Sequence, residues 1–345
     1  MRHRNKIFML TFSVIAFLSM FLIFSFLTKY KVETYEKNLK QYKKLSNCVV
    51  PPAVMEKALK VDLQAKSEGK EVKFTKIISF LAAKYFGDWR QYQETDLDEI
   101  ARKFYEGARE EDLVHIYNNY WYFKDFYEAL FSQFVGEYDI SRTIGDSTKK
   151  EDVVFEQKYG LKVYSPIAYG YKISFCDDFD NEVNFAKQKG HFGNDIAVKI
   201  GTPFVAVESG IIDRIHNDGN SYLLELKSLD GKRRYIYSNC SEKKPFANGI
   251  KKGTIVSGGQ LLGFVGCGNC CDKGGAKILN CPYLHFAIKL SVGKENESAG
   301  EIYIDAYNIL RFLEHHKAEL YKRQGDFYSK HIYIDDMYKK RIQDY

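Results

Sequence analysis

Two histidines and one aspartate in this 345-residue sequence have the types and spacing of a metal-binding set. His191 and Asp195 form an H-x-x-x-D pattern, and His285 follows much later in the chain. Two imidazoles and one carboxylate make a three-ligand zinc set with a fourth position open, which is typical of hydrolytic rather than structural zinc. A lone H-x-x-x-D pattern is weak, and a single strand histidine is usually an ordinary residue, so the prediction of one Zn²⁺ depends on the surrounding sequence.

The strands that must carry these residues are predicted from the alternation of apolar and polar positions. Residues 281–290 alternate like a half-buried strand, and one face holds Leu284, Phe286, Ile288 and Leu290. Tyr283 and His285 then point together to the other face. His191 and Asp195 also share parity, so an extended run there would present both side chains on one side.

Four blocks of sequence resemble the lysostaphin/LytM zinc metallopeptidases, in the family's order. Residues 190–197 (GHFGNDIA) resemble the first metal motif, and residues 201–210 (GTPFVAVESG) resemble the strand-turn-strand that follows it. Residues 252–266 resemble a glycine-punctuated hairpin, and residues 282–286 (PYLHF) the final H-x-H strand. The resemblance covers about residues 160–295 and implies a LytM-like antiparallel β-sheet domain.

By this resemblance, the family's metal ligands correspond to His191, Asp195 and His285. The family also uses two histidines that do not bind metal, and both are replaced here. One lies in a Y-x-H-L strand that reads YSNC in this chain, which puts Asn239 at the histidine position. The other is the first histidine of H-x-H, where this chain has Tyr283.

The two replacements alter the proton chemistry expected at the site. Tyrosine, with a reference pKa of about 10, is a poor base at neutral pH, and an asparagine amide has no basic site. A general base is worth roughly a hundred- to ten-thousand-fold in rate, so turnover should be slow or absent. Both side chains still donate hydrogen bonds, so stabilisation of an oxyanion can survive. Alternatively, Tyr283 caps the open zinc position or binds its water.

Residues 7–27 form an uncharged run rich in Phe, Leu and Ile, about long enough to cross a bilayer. Arg2, Arg4 and Lys6 precede it, which favours a cytoplasmic N-terminus, and no small-residue cleavage pattern follows. The sequence therefore predicts a signal anchor and a single-pass protein of the bacterial cell membrane, whose C-terminal domain is extracytoplasmic.

The predicted fold is α+β, with a helical region on each side of the β-sheet domain. The expected divisions are a cytoplasmic tip and anchor (1–29), a helical stalk domain (30–140), a linker (141–160), the LytM-like domain (161–295) and a helical C-terminal tail (296–345). Helical patterns fall at about 53–67, 74–86, 96–107 and 111–135. The aromatic stripe of the last pattern favours a core face over a partner-docking surface. His315 and His316 are interpreted as a solvated helix end.

Four cysteines lead into the final metal strand, and three interpretations of them remain open. They are Cys267, Cys270, Cys271 and Cys281. Disulfides can staple the loop in an oxidising space, the thiolates can bind a second zinc ion, or the thiols can be free. Disulfides or free thiols are favoured, because the usual two-part cysteine–histidine spacing is absent.

Composition favours the cell envelope and excludes a nucleic-acid module. The net charge of +6 is mild, and no basic stripe interleaved with aromatics, zinc finger or RRM pattern is present. Two functions remain. One is a degenerate zinc domain that binds peptidoglycan peptides or a cell-envelope protein partner, and the other is an active zinc endopeptidase that cleaves peptidoglycan cross-bridges. The replacements at Asn239 and Tyr283 favour the first, and the complete ligand set favours the second.

Overall fold

The computed structural model places helices first and an antiparallel β-sheet afterwards. It describes residues 50–117, 119–143, 153–179, 190–217, 221–267, 282–292, 300–331, 333–334 and 338–339. The cytoplasmic tip and anchor predicted over residues 1–29 therefore lie outside the described residues.

Helices form the first part of the described chain. They are α1 (Pro52–Ser67), α2 (Phe74–Tyr85), a 3₁₀ turn (Trp89–Gln91), α3 (Glu94–Tyr105), α4 (Glu110–Val114) and α5 (Tyr120–Phe131). Proline at the first position of α1 loses no hydrogen bond, because an N–H there has no partner within the helix. The single helix expected over residues 111–135 is wrong: it is divided between α4 and α5, and a strand begins at Val135.

The aromatic stripe of α5 is a core face, as its helical spacing predicted. At most 3% of each side chain is exposed for Tyr120, Phe123, Phe126, Tyr127, Leu130 and Phe131. Phe80 of α2 stacks on Tyr120 with ring centroids 4.1 Å apart. Trp121 stays half exposed, and the ammonium of Lys124 lies 4.9 Å from its ring centroid. Burial of these rings holds α5 against its neighbours through the hydrophobic effect.

The strands follow the helices. They are β1 (Val135–Thr143), β2 (Val153–Leu161), β3 (Asn194–Ala197), β4 (Pro203–Val205), β5 (Gly210–Asn217), β6 (Tyr222–Ser228), β7 (Arg233–Cys240), β8 (Ile255–Val256), β9 (Leu261–Phe264), β10 (Tyr283–Val292), β11 (Gly300–Ile304), β12 (Leu320–Arg323), β13 (Asp326–Ser329) and β14 (Tyr333–Ile334). A short helix, α6 (Tyr307–Phe312), lies between β11 and β12.

The main sheet has seven antiparallel strands, which confirms the expected β-sheet domain. Its order is β11-β10-β7-β6-β5-β8, and β3 also pairs with β10. Strands β3 and β11 pair with successive stretches of β10, from Tyr283 to Phe286 and from Ile288 to Val292. Strand β10, which carries the second metal motif, therefore pairs directly with β3, which carries Asp195 of the first.

Two sequence predictions about the flanks of this sheet are wrong. Residues 141–160 were expected to be a linker, but β1 reaches into them as far as Thr143 and pairs with β2, which begins at Val153. Strand β14 from the C-terminal region also pairs with β1. The C-terminal tail was expected to be helical, but after α6 its described elements are β12, β13 and β14. His316 is not in a solvated helix end, since its ring stacks on that of Tyr164 with centroids 4.7 Å apart.

The prediction of a transmembrane helix and a single-pass membrane protein is not supported and has to be corrected. Among the described residues, no helix has the length and apolar character needed to cross a bilayer. Crossing takes about 20 consecutive apolar residues. The longest helix in the described part of the chain, α1, has 16 residues and carries several lysines.

One hydrophobic core is shared by the helices and the main sheet. Phe74 of α2 stacks on Phe312 of α6, with ring centroids 6.2 Å apart, and both belong to the cluster that contains Phe286 of β10. A buried arginine adds a polar link at the same junction. Arg233 of β7 is fully buried, binds Glu208 at 2.9 Å and donates a hydrogen bond to the carbonyl oxygen of Ala129 in α5. The helices therefore pack directly on the sheet that carries the site.

Candidate metal centre

Two adjacent strands, β3 and β10, and the residues just before β3 place the predicted metal residues side by side. His285 of β10 is in register with Asp195 of β3 on one side and with Ser238 of β7 on the other. The opposite face of β10 is buried in the core, and Leu284, Phe286, Ile288 and Leu290 are each at most 1% exposed. The alternation read from the sequence is confirmed, so the core fixes which face of the strand presents His285.

The ligand atoms of His191, Asp195 and His285 all lie within 4.8 Å of one another. Asp195 Oδ1 is 2.8 Å from His285 Nδ1 and 3.3 Å from His191 Nε2. The two imidazole ring centroids are 5.0 Å apart. Among the described residues, this is the one group of three or more histidine, cysteine or acidic side chains that meets this spacing.

The charges of the three side chains support one another. The hydrogen bond to Asp195 raises the pKa of His191 to about 9, although partial burial acts in the opposite direction. Burial acts to raise the pKa of Asp195, but hydrogen bonds from His191 and His285 outweigh it and the pKa is lowered. Without metal, a proton on His191 therefore balances the Asp195 carboxylate, and a metal ion would compete with that proton.

A contact outside the three residues determines which nitrogen of His191 faces the site. Its Nδ1 lies 2.8 Å from the backbone carbonyl oxygen of Asp178. A carbonyl oxygen can only accept, so Nδ1 carries the proton and Nε2 is left facing Asp195. This is the usual support of a metal-binding histidine. Sequence reasoning missed Asp178, because nothing in the local pattern brings it next to a residue thirteen positions away.

Gly193 gives His285 its space. A Cβ atom at Gly193 would lie 2.7 Å from His285 Cε1 and 2.7 Å from the carbonyl oxygen of Phe286. Contacts shorter than 3.0 Å essentially never occur for a real Cβ, so any side chain here requires His285 or the backbone to move. The close approach of β10 therefore explains why a glycine stands at position 193, the second glycine of the GHFGNDIA block.

The donor set fits Zn²⁺. Two imidazole nitrogens and one carboxylate oxygen, partly buried and already converging, are ligands that zinc accepts in sites with an open position. The carbonyl that holds His191 supplies the outer support that such ligands need. His191 Nε2, Asp195 Oδ1 and His285 Nδ1 are the atoms that would hold the ion.

Tyr283 and Asn239, which the resemblance predicts at the family's histidine positions, lie on β10 itself and on the neighbouring β7. Tyr283 is two residues before His285 in β10, hence on the same face, and is half-buried. Asn239 is near the end of β7, one residue after the Ser238 that pairs with His285, and has a φ of 62°. The backbone N–H of Asn239 donates to Ser221 Oγ, and its carbonyl oxygen accepts from the N–H of Gly266. The sequence did not predict that Ser238 lies opposite His285, because this pairing depends on the register between β7 and β10.

His216, the histidine closest in sequence to these strands, does not replace the missing ones. It is exposed on β5, which is separated from β10 by β7 and β6. Neighbouring strands are about 4.8 Å apart, so the two strands are separated by roughly 14 Å. His216 therefore lies too far away to act at the positions of Asn239 and Tyr283.

The cysteine loop is described only at its first residue. Cys267 is disulfide-bonded, which agrees with the disulfide interpretation for this one cysteine. Cys270, Cys271 and Cys281 lie outside the described residues. Cys176 and Cys240 are free thiols.

Residues 189–298 match the model of Peptidase family M23, and this confirms the resemblance found in the four sequence blocks. All three predicted ligands fall within the matched residues. M23 peptidases are zinc metallopeptidases, and their structural relatives include LytM- and lysostaphin-type proteins. No curated protein matches the chain.

Solved structures of that type resemble this one at low identity. A LytM protein from Ruminococcus gnavus ATCC 29149 matches with a TM-score of 0.43 and 18% identity, over 70% of this chain and 83% of that protein. Lysostaphin from Staphylococcus simulans matches with a TM-score of 0.32 and 22% identity, over 48% of this chain and 57% of lysostaphin. Its catalytic domain matches with a TM-score of 0.28 and 25% identity, over 41% of this chain and 92% of that domain. Because these TM-scores are low, the function is inferred from the family match and from the geometry of the site.

Proposed function

We propose that this chain, which carries a Peptidase family M23 domain over residues 189–298, binds one zinc ion and uses the resulting site to recognise peptidoglycan peptides with little or no turnover. The observation that carries the proposal is the convergence of His191, Asp195 and His285 within 4.8 Å, inside the matched residues. The family acts on peptidoglycan, which gives the substrate class.

The three ligands have distinct tasks in this proposal. His191 Nε2 and His285 Nδ1 supply neutral nitrogen lone pairs, and Asp195 supplies a negatively charged oxygen between them. Zinc bound there would act as a Lewis acid that polarises a peptide carbonyl and lowers the pKa of water. The site thus has the means to hold a peptide bond.

The weak step is proton transfer. Tyr283 stands on the same face of β10 as His285, and Asn239 is the residue after Ser238, which pairs with His285. A phenol and an amide donate hydrogen bonds to a carbonyl oxygen, which favours binding, but neither is an effective base at neutral pH. The loss of a positioned base removes roughly a hundred- to ten-thousand-fold in rate.

A second function remains supported by one observation. The full metal-ligand set is present and already converges. A domain that keeps it can be an active zinc endopeptidase that cleaves peptidoglycan cross-bridges, with Tyr283 acting as a hydrogen-bond donor.

If the site binds without cleaving, a cell-envelope protein is the other candidate partner besides peptidoglycan peptides.

Metal analysis and wall binding test these functions together. The full chain, loaded with zinc and freed of excess metal, is expected to hold one zinc ion and to sediment with purified sacculi without releasing new amino termini. His285→Ala should lose both zinc and sacculus binding, whereas His216→Ala, which alters an exposed histidine on β5, should keep both. Release of amino termini that His285→Ala abolishes would establish the second function. A full chain that holds no zinc would contradict both.

A further inference from the structure

Asp178 contacts the metal loop from outside it; this name is used for residues 190–195, which end in the first two residues of β3. The segment before it is tied to the end of β3 by a two-way backbone bridge between Ser174 and Ala197, with N···O distances of 3.2 and 2.8 Å. Four residues later the chain reaches the metal centre, where the Asp178 side chain is 27% exposed. This path places the Asp178 carboxylate next to the metal loop. No sequence motif predicted a carboxylate there.

Each oxygen of Asp178 contacts a different part of that loop. Its carbonyl oxygen lies 2.8 Å from Nδ1 of His191. Its carboxylate Oδ1 accepts a hydrogen bond from Nδ2 of Asn194 at 3.0 Å, and Oδ2 accepts one from the backbone N–H of Asp195 at 3.3 Å. One residue therefore determines the orientation of one metal ligand and the backbone position of another.

Asn194 extends these contacts into the core. It is fully buried, and its Oδ1 accepts a hydrogen bond at 3.1 Å from the backbone N–H of Ala306, where α6 begins. A buried amide is costly unless both of its ends are satisfied, so the Asp178 carboxylate and the Ala306 N–H together hold it in one orientation. The loop is thus fixed between Asp178 on one side and the start of α6 on the other.

We infer that Asp178 is a positioning residue of the metal centre, which holds His191 and Asp195 in the geometry that binds zinc. The inference rests on the proposed zinc site. Partners of this kind are usually worth 10- to 100-fold in metal affinity, because a loop that must order itself on binding weakens the interaction. The neighbouring Asp177 is exposed and makes none of these contacts, so it offers a matched control for charge.

Zinc affinity of the full chain, measured by competition with a chromophoric chelator, tests this role. Asp178→Ala keeps the carbonyl but removes both carboxylate acceptors, and zinc affinity should fall about 10- to 100-fold. Asp178→Asn has the same shape and keeps one acceptor, so its zinc affinity should fall less than that of the alanine variant. This variant should also fold even if the alanine variant does not. Asp177→Ala should bind zinc like the unchanged chain.

A second readout separates positioning from general loss of structure. In the zinc-loaded Asp178→Asn protein, the ring nitrogen resonances of His191 should shift or broaden, while the far-ultraviolet circular dichroism of the metal-free protein stays unchanged. If both Asp178 variants bind zinc as tightly as Asp177→Ala, the inference is overturned and the proposed function stands. If the unchanged chain binds no zinc, both are overturned.

Discussion

At the scale of single residues, the site depends on space as much as on ligand type. His191, Asp195 and His285 could be identified from the sequence because their types and their neighbours resemble a known metal motif. Gly193 belongs to the same block, but the need for glycine there comes from the tertiary structure, because His285 occupies the volume that a side chain would fill. Asp178 belongs to no motif, and both its contact with His191 and the pairing of Ser238 with His285 could be found only from the folded chain.

Gly193→Ala should weaken zinc binding strongly. The added methyl group would lie 2.7 Å from His285 Cε1, so the ring must leave the position in which Nδ1 faces Asp195. We expect zinc affinity to fall by at least the roughly 10-fold seen when a ligand loses its orientation. The control is Gly160→Ala in β2, where the new methyl group would make an ordinary 3.5 Å contact with Tyr138. Equal zinc affinity in the two variants would refute the packing argument.

Restoring both histidines should create or increase hydrolysis. Asn239→His combined with Tyr283→His supplies the basic nitrogens that the resemblance places at these positions. If missing proton transfer limits turnover, release of amino termini from sacculi should rise by about a hundred- to ten-thousand-fold over the unchanged chain. The double variant with His285→Ala added is the control for metal dependence. An unchanged rate in a double variant that still binds zinc would place the defect elsewhere.

At the scale of elements, a central strand joins the two motifs and a buried arginine joins the sheet to the helices. β10 pairs with β3, β7 and β11, so its register determines which residues meet at the site. Arg233 binds Glu208 and Asp230 at 2.9 Å each, and it also reaches a carbonyl oxygen of α5. All of these groups are buried or nearly so, so the arginine charge is balanced within the interior.

Arg233→Ala should destabilise the fold by about 3–5 kcal/mol, because it leaves buried carboxylates without their partner. The measurement is the free energy of unfolding from urea titration, followed by circular dichroism and by tryptophan fluorescence. Arg102→Ala is the control, since Arg102 pairs with Glu106 on the exposed surface of α3 and should cost no more than about 1 kcal/mol. A small effect at Arg233 would mean that the helices are held on the sheet by apolar contacts alone.

At the scale of the whole molecule, a proton on His191 and a bound zinc ion should both stabilise the fold, but with opposite dependence on pH. In the metal-free protein the pKa of His191 is raised to about 9, above its ordinary value of 6.5. The stability that this gives is complete below pH 6.5 and is lost as pH rises through about 9. Zinc instead needs neutral imidazole nitrogens, so its affinity rises over the same range.

Thermal unfolding with and without zinc should therefore show opposite trends with pH. Between pH 6.5 and 9, we expect the unfolding midpoint of the metal-free chain to fall slightly, because His191 is partly exposed and its contribution is screened. At a fixed zinc concentration that is 100 times the Kd measured at pH 6.5, stabilisation should be about 2.7 kcal/mol at that pH and should grow as the Kd falls with rising pH. In His191→Ala, both trends should vanish. Parallel trends with and without zinc would contradict a site at His191.

The sequence by itself determined the helical first part of the described chain, the alternation of β10 and the identity of the three ligands. Each of these depends on the spacing of nearby residues or on a motif, and both can be read directly from the sequence. The same local reasoning failed for residues 141–160, because the polar sequence there concealed the pairing of β1 with β2. It also failed for the tail, because β14 pairs with β1, which lies far away in sequence and gives no local signal. Tertiary structure alone decided which residues lie opposite His285, why Gly193 has no side chain and how Asp178 reaches His191. These contacts join residues far apart in sequence, and only strand register and core packing bring them together.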